Sequence, residues 1–324
     1  MNHRLHRLPI LILNPHNRCN CRCTMCDIWK RDSAEEFSLD QLRAQLGAIE
    51  SLSVETVVLT GGEPLMHSGL FELCRELRSR AIRIVLLSSG LLLSRFADRI
   101  VENVDEVIVS LDGPPEVHDR IRSVPRAFEL LASGLERIHG LDSRFPVAAR
   151  TTVQRLNCGN LLRTAETACA LRLRSISFLA ADTHSTAFDR RIPLLADNPI
   201  APTVKDLAAL DEQIAALEAS GDCGGFVLES PAKLRRIAAH FRCGLGLAEP
   251  VAPVCNAPWH SAVVETDGTV RPCFFHPPIG QLDEDHDIAA VVDSPQAVAF
   301  RASLDVGTNP VCRRCVCSLN RQVS

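Results

Sequence analysis

Residues 9–29 read PILILNPHNRCNCRCTMCDIW. The run Pro9-Ile10-Leu11-Ile12-Leu13 has the length and character of a short strand. Directly after it come Cys19, Cys23 and Cys26, spaced C-x3-C-x2-C. Three thiolates on one short loop can take three corners of a cubane iron–sulfur cluster, whereas a closed site uses four cysteines. One iron then stays open, and an open metal position is where a small molecule binds and reacts. Clustered loop cysteines also bind zinc, so the triplet alone leaves both readings standing. Cys21 lies inside the x3 gap. Using it as a ligand breaks the spacing, which makes it a bystander thiol.

Downstream, the chain alternates short apolar runs with longer amphipathic stretches. Strands are predicted at Ile10–Leu13, Thr56–Thr60, Arg83–Leu87, Glu106–Leu111, Val147–Val153 and Ser175–Leu179. Helices are predicted near 39–50, 69–80, 94–102, 126–139 and 160–172. Leu39, Leu42 and Leu46 show the three-to-four spacing of a one-faced helix, as do Phe128, Leu131 and Leu135. Ser38 is placed to cap the first of these helices. Six strand–helix alternations imply a parallel sheet, because each parallel crossover needs a helix. Near-continuous apolar strands further imply that both sheet faces are covered. Periodicity does not separate a barrel from an open doubly wound sheet. After Asp182, Pro193, Asn198, Pro199, Pro202 and Gly221 punctuate the chain around helices at 203–219 and 231–241. A cysteine-containing region with a hairpin follows from Val251.

Three further stretches carry chemistry. The second strand runs into Gly61-Gly62-Glu63-Pro64. Paired glycines expose amide groups for close ligand approach, and Pro64 biases Glu63 towards an extended backbone. That arrangement suits capture of an ammonium group, and equally a tight strand-to-helix turn. The fourth strand leads into Ser110-Leu111-Asp112-Gly113-Pro114, then His118-Asp119 and Arg122. Ser110 and Asp112 alternate onto one side of an extended chain, while Asp-Gly-Pro is also ordinary turn chemistry. Thr151, Thr152 and Asn157 end the fifth strand as further pocket candidates. Near the C-terminus lie Cys255, Cys273, Cys312 and Cys315, with Cys317 beyond. Asp267-Gly268 is a hairpin signal that brings Cys255 towards Cys273, and Cys312-x2-Cys315 adds two more corners. Two cysteine pairs hold zinc or a four-iron cluster equally well.

Taken together, the cysteine triplet, the Gly-Gly-Glu-Pro turn 35 residues after Cys26 and the Ser110–Arg122 stretch resemble the radical S-adenosylmethionine (radical SAM) superfamily. The C-terminal cysteines resemble its short SPASM or twitch domain. The resemblance runs from residue 9 to the end. It implies a partial six-stranded (β/α) barrel resembling a TIM barrel, with a small C-terminal cysteine-rich domain. Cys19, Cys23 and Cys26 would hold a [4Fe-4S] cluster whose open iron chelates SAM, with Gly61, Gly62, Glu63 and Pro64 at the SAM amino group. Ser110, Asp112 and Arg122 would lie around SAM, the matching serine being near its ribose and carboxylate. Ser88-Ser89-Gly90 departs from the Thr-Asn-Gly of many relatives. Cys255, Cys273, Cys312 and Cys315 would hold one auxiliary [4Fe-4S] cluster, leaving Cys317 to spare. The implied reaction is reductive cleavage of SAM to a 5′-deoxyadenosyl radical that abstracts hydrogen from substrate, with electrons from a donor such as flavodoxin or ferredoxin.

The 324 residues carry a net charge of −4, with 46% hydrophobic and 23% charged residues. These values describe an ordinary globular protein and argue against a general nucleic-acid binder. No apolar run approaches the ~18 residues of a membrane span, and the N-terminal run is shorter than a signal-peptide core of about 7–15. A cytoplasmic protein is expected. The domain reading is a tail at 1–8, the barrel at 9–185, a helical linker at 186–250 and the auxiliary-cluster domain at 251–324. Cys74, Cys158, Cys169, Cys223 and Cys243 read as small core or surface residues. The first strand starts near residue 9, leaving no room for the leader-binding domain of many peptide-modifying relatives. The expected substrate is therefore a small polar metabolite such as a sugar, aminocyclitol or nucleoside, undergoing oxidation, decarboxylation or epimerisation. A peptide-modifying maturase is the alternative, and a zinc-binding module without catalysis is the reading from another class. Asp182, His184 and Glu229 are weak pocket candidates, each also readable as a solvated surface group.

Overall fold

The structure, a computed structural model, describes residues 3–189, 199–221 and 224–321. Pro193, Asn198 and Cys223 lie outside the described residues. Six parallel strands carry the first half: β1 (Ile10–His16), β2 (Thr56–Gly61), β3 (Arg83–Ser88), β4 (Glu106–Ser110), β5 (Val147–Val153) and β6 (Ile176–Ala180). Between them run α1 (Leu39–Ser51), α2 (Leu70–Arg78), α3 (Leu93–Asn103), α4 (Pro115–Arg122), α5 (Ala127–Leu141) and α6 (Leu161–Ala170). Ser38 caps α1 in a full capping box, its side chain accepting from the Gln41 amide while Gln41 bonds back. The α4 helix has no counterpart in the sequence reading. Its stretch begins with Gly113-Pro114-Pro115, which masks a helix start as a turn.

The chain then forms α7 (Val204–Ala219) and α8 (Pro231–Gly244), followed by the short α9 (Ala257–His260), β7 (Ser261–Val264), β8 (Thr269–Arg271) and β9 (Gly280–Gln281). Helices α10 (Ile288–Val292), α11 (Pro295–Ser303) and α12 (Pro310–Arg313) complete it. β7 and β8 form the expected antiparallel hairpin around Asp267-Gly268. β7 also pairs in parallel with β1, so the C-terminal strands continue the barrel's own sheet, in the order β6-β5-β4-β3-β2-β1-β7-β8-β9. The sheet therefore stays open. The N-terminal residues are packed as well: Leu8 is fully buried, and the His3 carbonyl accepts from buried Arg301.

The strands are not covered alike on both faces. Leu11, Leu13, Val57, Leu59, Ile84, Leu86, Val107 and Val109 are buried in one core with the helices. Alternate residues, including Ile12, Asn14, Thr60, Ser110, Arg150 and Thr152, are only half-buried. Apolar residues on both strand faces had implied a fully covered sheet. The second face instead borders cavities, and polar groups on it cost little because they keep contact with water or ligand.

Two cysteine sites on one open sheet face

The cysteine loop leaves the end of β1. Arg22 and Thr24 donate their amides to the carbonyls of Arg122 and Ile121, at 3.0 and 3.1 Å, so α4 fixes the loop from one side. The Gly61-Gly62 turn fixes it from the other. Gly62 donates to the His16 carbonyl at 3.1 Å, and the Glu63 amide donates to the Arg18 carbonyl at 2.7 Å. A Cβ on Gly62 would stand 2.0 Å from the Arg18 carbonyl oxygen, and Gly61 has φ +98. Close backbone approach therefore requires both glycines.

Glu63 is extended at its backbone, as Pro64 implies, yet its carboxylate does not project from the strand end. It is fully buried and accepts from the Leu65 amide, the Ser88 hydroxyl, and the Ser89 amide and hydroxyl, at 2.6–3.1 Å. Burial pushes its pKa up, against the pull of these donors. The acid thus ties the end of β2 to that of β3. Ser88-Ser89-Gly90, which departs from the family's pattern, supplies the matching donors. The Ser89 hydroxyl oxygen also lies 3.0 Å from the Asn20 side-chain amide in the cysteine loop.

Asp112 and Arg122 bind each other. Asp112 lies past the end of β4, fully buried, and its carboxylate sits 2.6 Å from the Arg122 guanidinium while accepting the Thr152 amide at 3.1 Å. The strand alternation that paired Asp112 with Ser110 stops at Ser110, which stays half-buried on the open face. Arg122 also reaches the Cys23 sulfur at 3.4 Å. Cys21 is buried beside Cys19 and Cys23, its amide 3.5 Å from the Cys19 sulfur. Its hydrogen bond to Cys23 is the largest pull lowering the Cys23 thiol, followed after desolvation by the Arg122 charge. Sharing those bonds pushes the Cys21 thiol up.

Several pocket candidates prove to be stitching. Thr151 is buried and donates to the Leu111 carbonyl at 2.5 Å, and Asn157 is buried and donates to the carbonyls of Asp112 and Thr152. Glu229 and Asp182 are not solvated: they are 3% and 6% exposed. Glu229 accepts the Phe178 amide at 2.8 Å on the outer edge of β6, directly after the bridge between Ile176 and Val227. Asp182 accepts the His184 amide at 3.0 Å, and the His184 ring packs edge-on against His240. Strand-edge amides need acceptors, and nothing local in the sequence announces that demand.

The C-terminal cysteines form a second site on the same sheet. Cys255, Cys273, Cys312, Cys315 and Cys317 line one cavity with Ile12 of β1 and Ser261 of β7. Asn309 caps α12 by accepting from the amides of Val311 and Cys312, and Arg236 donates to the Cys315 carbonyl at 2.8 Å. Burial raises the Cys273 and Cys315 thiols and pushes Cys312 up to about 11, so binding a metal here releases protons. Among the described residues no three His, Cys, Asp or Glu side chains converge as a single metal ion requires. A thiol-lined cavity can hold zinc or an iron–sulfur cluster. Between the two sites lies a cavity of about 280 Å³, walled by Asn14, Thr60, Gly61 and Gly62 on one side and Phe274 to Pro277 on the other. Phe188, itself exposed, packs against Phe274 and Phe275 in its wall, where the ion pairs Arg31–Asp189 and Arg271–Glu265 also stand.

An open parallel barrel that carries one three-thiol loop at its strand ends and a thiol-lined cavity on the same face is a scaffold for iron–sulfur chemistry on a small cofactor. Residues 13–155 match the radical SAM superfamily, and residues 255–316 match an iron–sulfur cluster-binding domain. The chain belongs to the radical SAM superfamily and carries that cluster-binding domain at its C-terminus. The two matched domains imply a [4Fe-4S] cluster with SAM and auxiliary iron–sulfur. The chain is 33% identical to the AdoMet-dependent heme synthase of Methanosarcina barkeri over 158 residues, 46% of this chain and 44% of that protein. It thus spans under half the length of the first curated relatives it matches. The PqqA peptide cyclase of Ruegeria pomeroyi is 25% identical over 284 residues, 83% of this chain and 68% of that protein. In fold, the chain superposes on Streptococcus suis SuiB bound to S-adenosylmethionine with a TM-score of 0.68 at 13% identity, covering 97% of this chain and 73% of that one. Among the described residues no helix is long and apolar enough to cross a membrane.

Proposed function

We propose that this chain cleaves SAM reductively and abstracts a hydrogen atom from a side chain of a peptide substrate seated in the cavity between its two cysteine sites. Cys19, Cys23 and Cys26 would hold the SAM-binding cluster, and Cys255, Cys273, Cys312 and Cys315 the auxiliary one. Bound there, the cluster and SAM would supply the one-electron reductive chemistry at the C5′–S bond. The chain's own residues position and shield. Gly61 and Gly62 let the backbone come close at the strand end, Glu63 locks that end to β3, and Ser110 offers a free hydroxyl on the open face. Phe188, Phe274 and Phe275 would give the substrate an apolar wall, and holding the reacting carbon against the radical source is where the rate would come from. A one-electron donor such as flavodoxin or ferredoxin would supply the electron for cleavage.

The single observation carrying the substrate reading is the composition of the cavity, whose walls run from Asn14 to Pro277. A match of 158 residues cannot span both walls, so the heme synthase resemblance speaks for the shared chemistry alone. The PqqA peptide cyclase, whose match covers 83% of this chain, acts by its name on a peptide. This favours a peptide over the small metabolite expected at first. The test is anaerobic incubation with SAM, reductant and deuterated candidates, reading deuterium in 5′-deoxyadenosine. Transfer from labelled peptides supports the reading. Transfer from a sugar or nucleoside, with none from any peptide tried, overturns the substrate class and keeps the chemistry.

A further inference from the structure

Phe274, Phe275 and His276 follow Cys273 directly and line two cavities at once, the one reached from Gly61-Gly62 and the one walled by the C-terminal cysteines. Of these three, His276 carries the polar side chain. It is 4% exposed, and its Nε2 lies 3.3 Å from the Cys312 sulfur. The ring is held edge-on by Phe300 at 4.9 Å between centroids, and the His276 carbonyl accepts from Arg271 at 3.3 Å. At that distance the Nε2–H tautomer of the ring donates to sulfur.

We propose that His276 is a positioning residue of the auxiliary site: its hydrogen bond to the Cys312 thiolate orients that ligand and raises the reduction potential of the cluster held there. This rests on the reading that the C-terminal cysteines bind an iron–sulfur cluster. A reduced cluster carries one more negative charge than an oxidised one, so a donor to a ligating sulfur stabilises the reduced state more. The same side chain stands in the wall of the substrate cavity, which puts the tuned cluster within one residue's thickness of bound substrate. A thiol-lined cavity closed by apolar groups alone would favour the oxidised state by comparison.

The test uses the full-length chain with Cys19, Cys23 and Cys26 all replaced by Ala, reconstituted anaerobically with iron and sulfide, so that the auxiliary cluster titrates alone. Its midpoint potential is followed by electron paramagnetic resonance. His276→Phe keeps an aromatic ring against Phe300 but removes the donor, and should shift the midpoint to lower potential while iron stays at about four per chain. His276→Gln restores a donor and should bring the midpoint back towards the parent. An unmoved midpoint in His276→Phe overturns the inference. So does a shift as large in His276→Gln as in His276→Phe, or loss of iron from both variants, which would make the histidine a ligand or a packing element. A parent chain without iron removes the cluster reading itself, and the inference with it.

Discussion

Glu63 shows how one side chain can serve a site by facing away from it. Its carboxylate gathers four donors from Leu65, Ser88 and Ser89, all buried. Glu63→Ala would strand those donors, and unsatisfied buried groups cost about 1–3 kcal/mol each. Loss of about 3 kcal/mol in urea unfolding is expected, with Glu63→Gln milder because it keeps an acceptor. Unchanged stability in Glu63→Ala would mean the serines find water instead. Gly62→Ala acts through sterics, since its Cβ would meet the Arg18 carbonyl. The cysteine loop must then shift, and bound iron should fall at that site while the auxiliary site keeps its own. At the cysteines, Ala in place of Cys19, Cys23 or Cys26 should abolish 5′-deoxyadenosine formation, while Cys21→Ala should retain it. A Cys21→Ala protein without cluster, beside a Cys23→Ala protein that retains one, would reassign the ligands.

At the scale of elements, α4 matters most for the first site. It holds Arg122 against Cys23 and presents backbone carbonyls to the cysteine loop. Inside it His118 is fully buried, its Nδ1 accepting from the Asp112 amide at 3.3 Å and its ring edge-on to Phe128. Desolvation, then the Arg122 charge, lowers its pKa to about 3. A depressed folded pKa means the unfolded chain binds the proton more readily, so this contribution is complete above the unfolded value of about 6.5. It is lost as pH falls from there towards 3, by up to about 1.4 kcal/mol per pH unit. His118→Gln should flatten the stability profile between pH 6 and 4 by about 1 kcal/mol per unit relative to the parent. Parallel profiles would show that acid unfolding starts elsewhere, for instance at His240, whose pKa burial lowers to about 4. The six parallel strands and most helices were legible because hydrophobic period and turn residues are local signals. The α4 helix was not, since Pro114-Pro115 starts it as readily as it makes a turn.

For the whole molecule, two cysteine sites share one sheet face with a cavity between them. Reconstituted protein should hold about eight irons per chain, from two four-iron clusters. Ala at Cys255, Cys273, Cys312 or Cys315 should halve that count, and Cys317→Ala should leave it intact. An iron count near four with zinc making up the balance would replace the auxiliary cluster by a zinc site. The five C-terminal thiols all border the cavity, so four-from-five is a choice that spacing proposes and metal analysis decides. By itself, the sequence determined the alternating parallel architecture, the cysteine triplet and its spacing, the Gly-Gly-Glu-Pro turn and the second cysteine group. Each of these is a periodicity or a motif within a short window. Only the tertiary structure decided that β7 extends the barrel sheet beside β1, that Asp112 and Arg122 neutralise each other, and that Glu63 and Glu229 are consumed by buried donors. It also decided that His276 lines both the cavity beside Gly61-Gly62 and the one walled by the C-terminal cysteines. Those facts depend on which groups lose water when distant segments meet, and a buried charge or strand-edge amide finds its partner across the fold, beyond the reach of any local pattern.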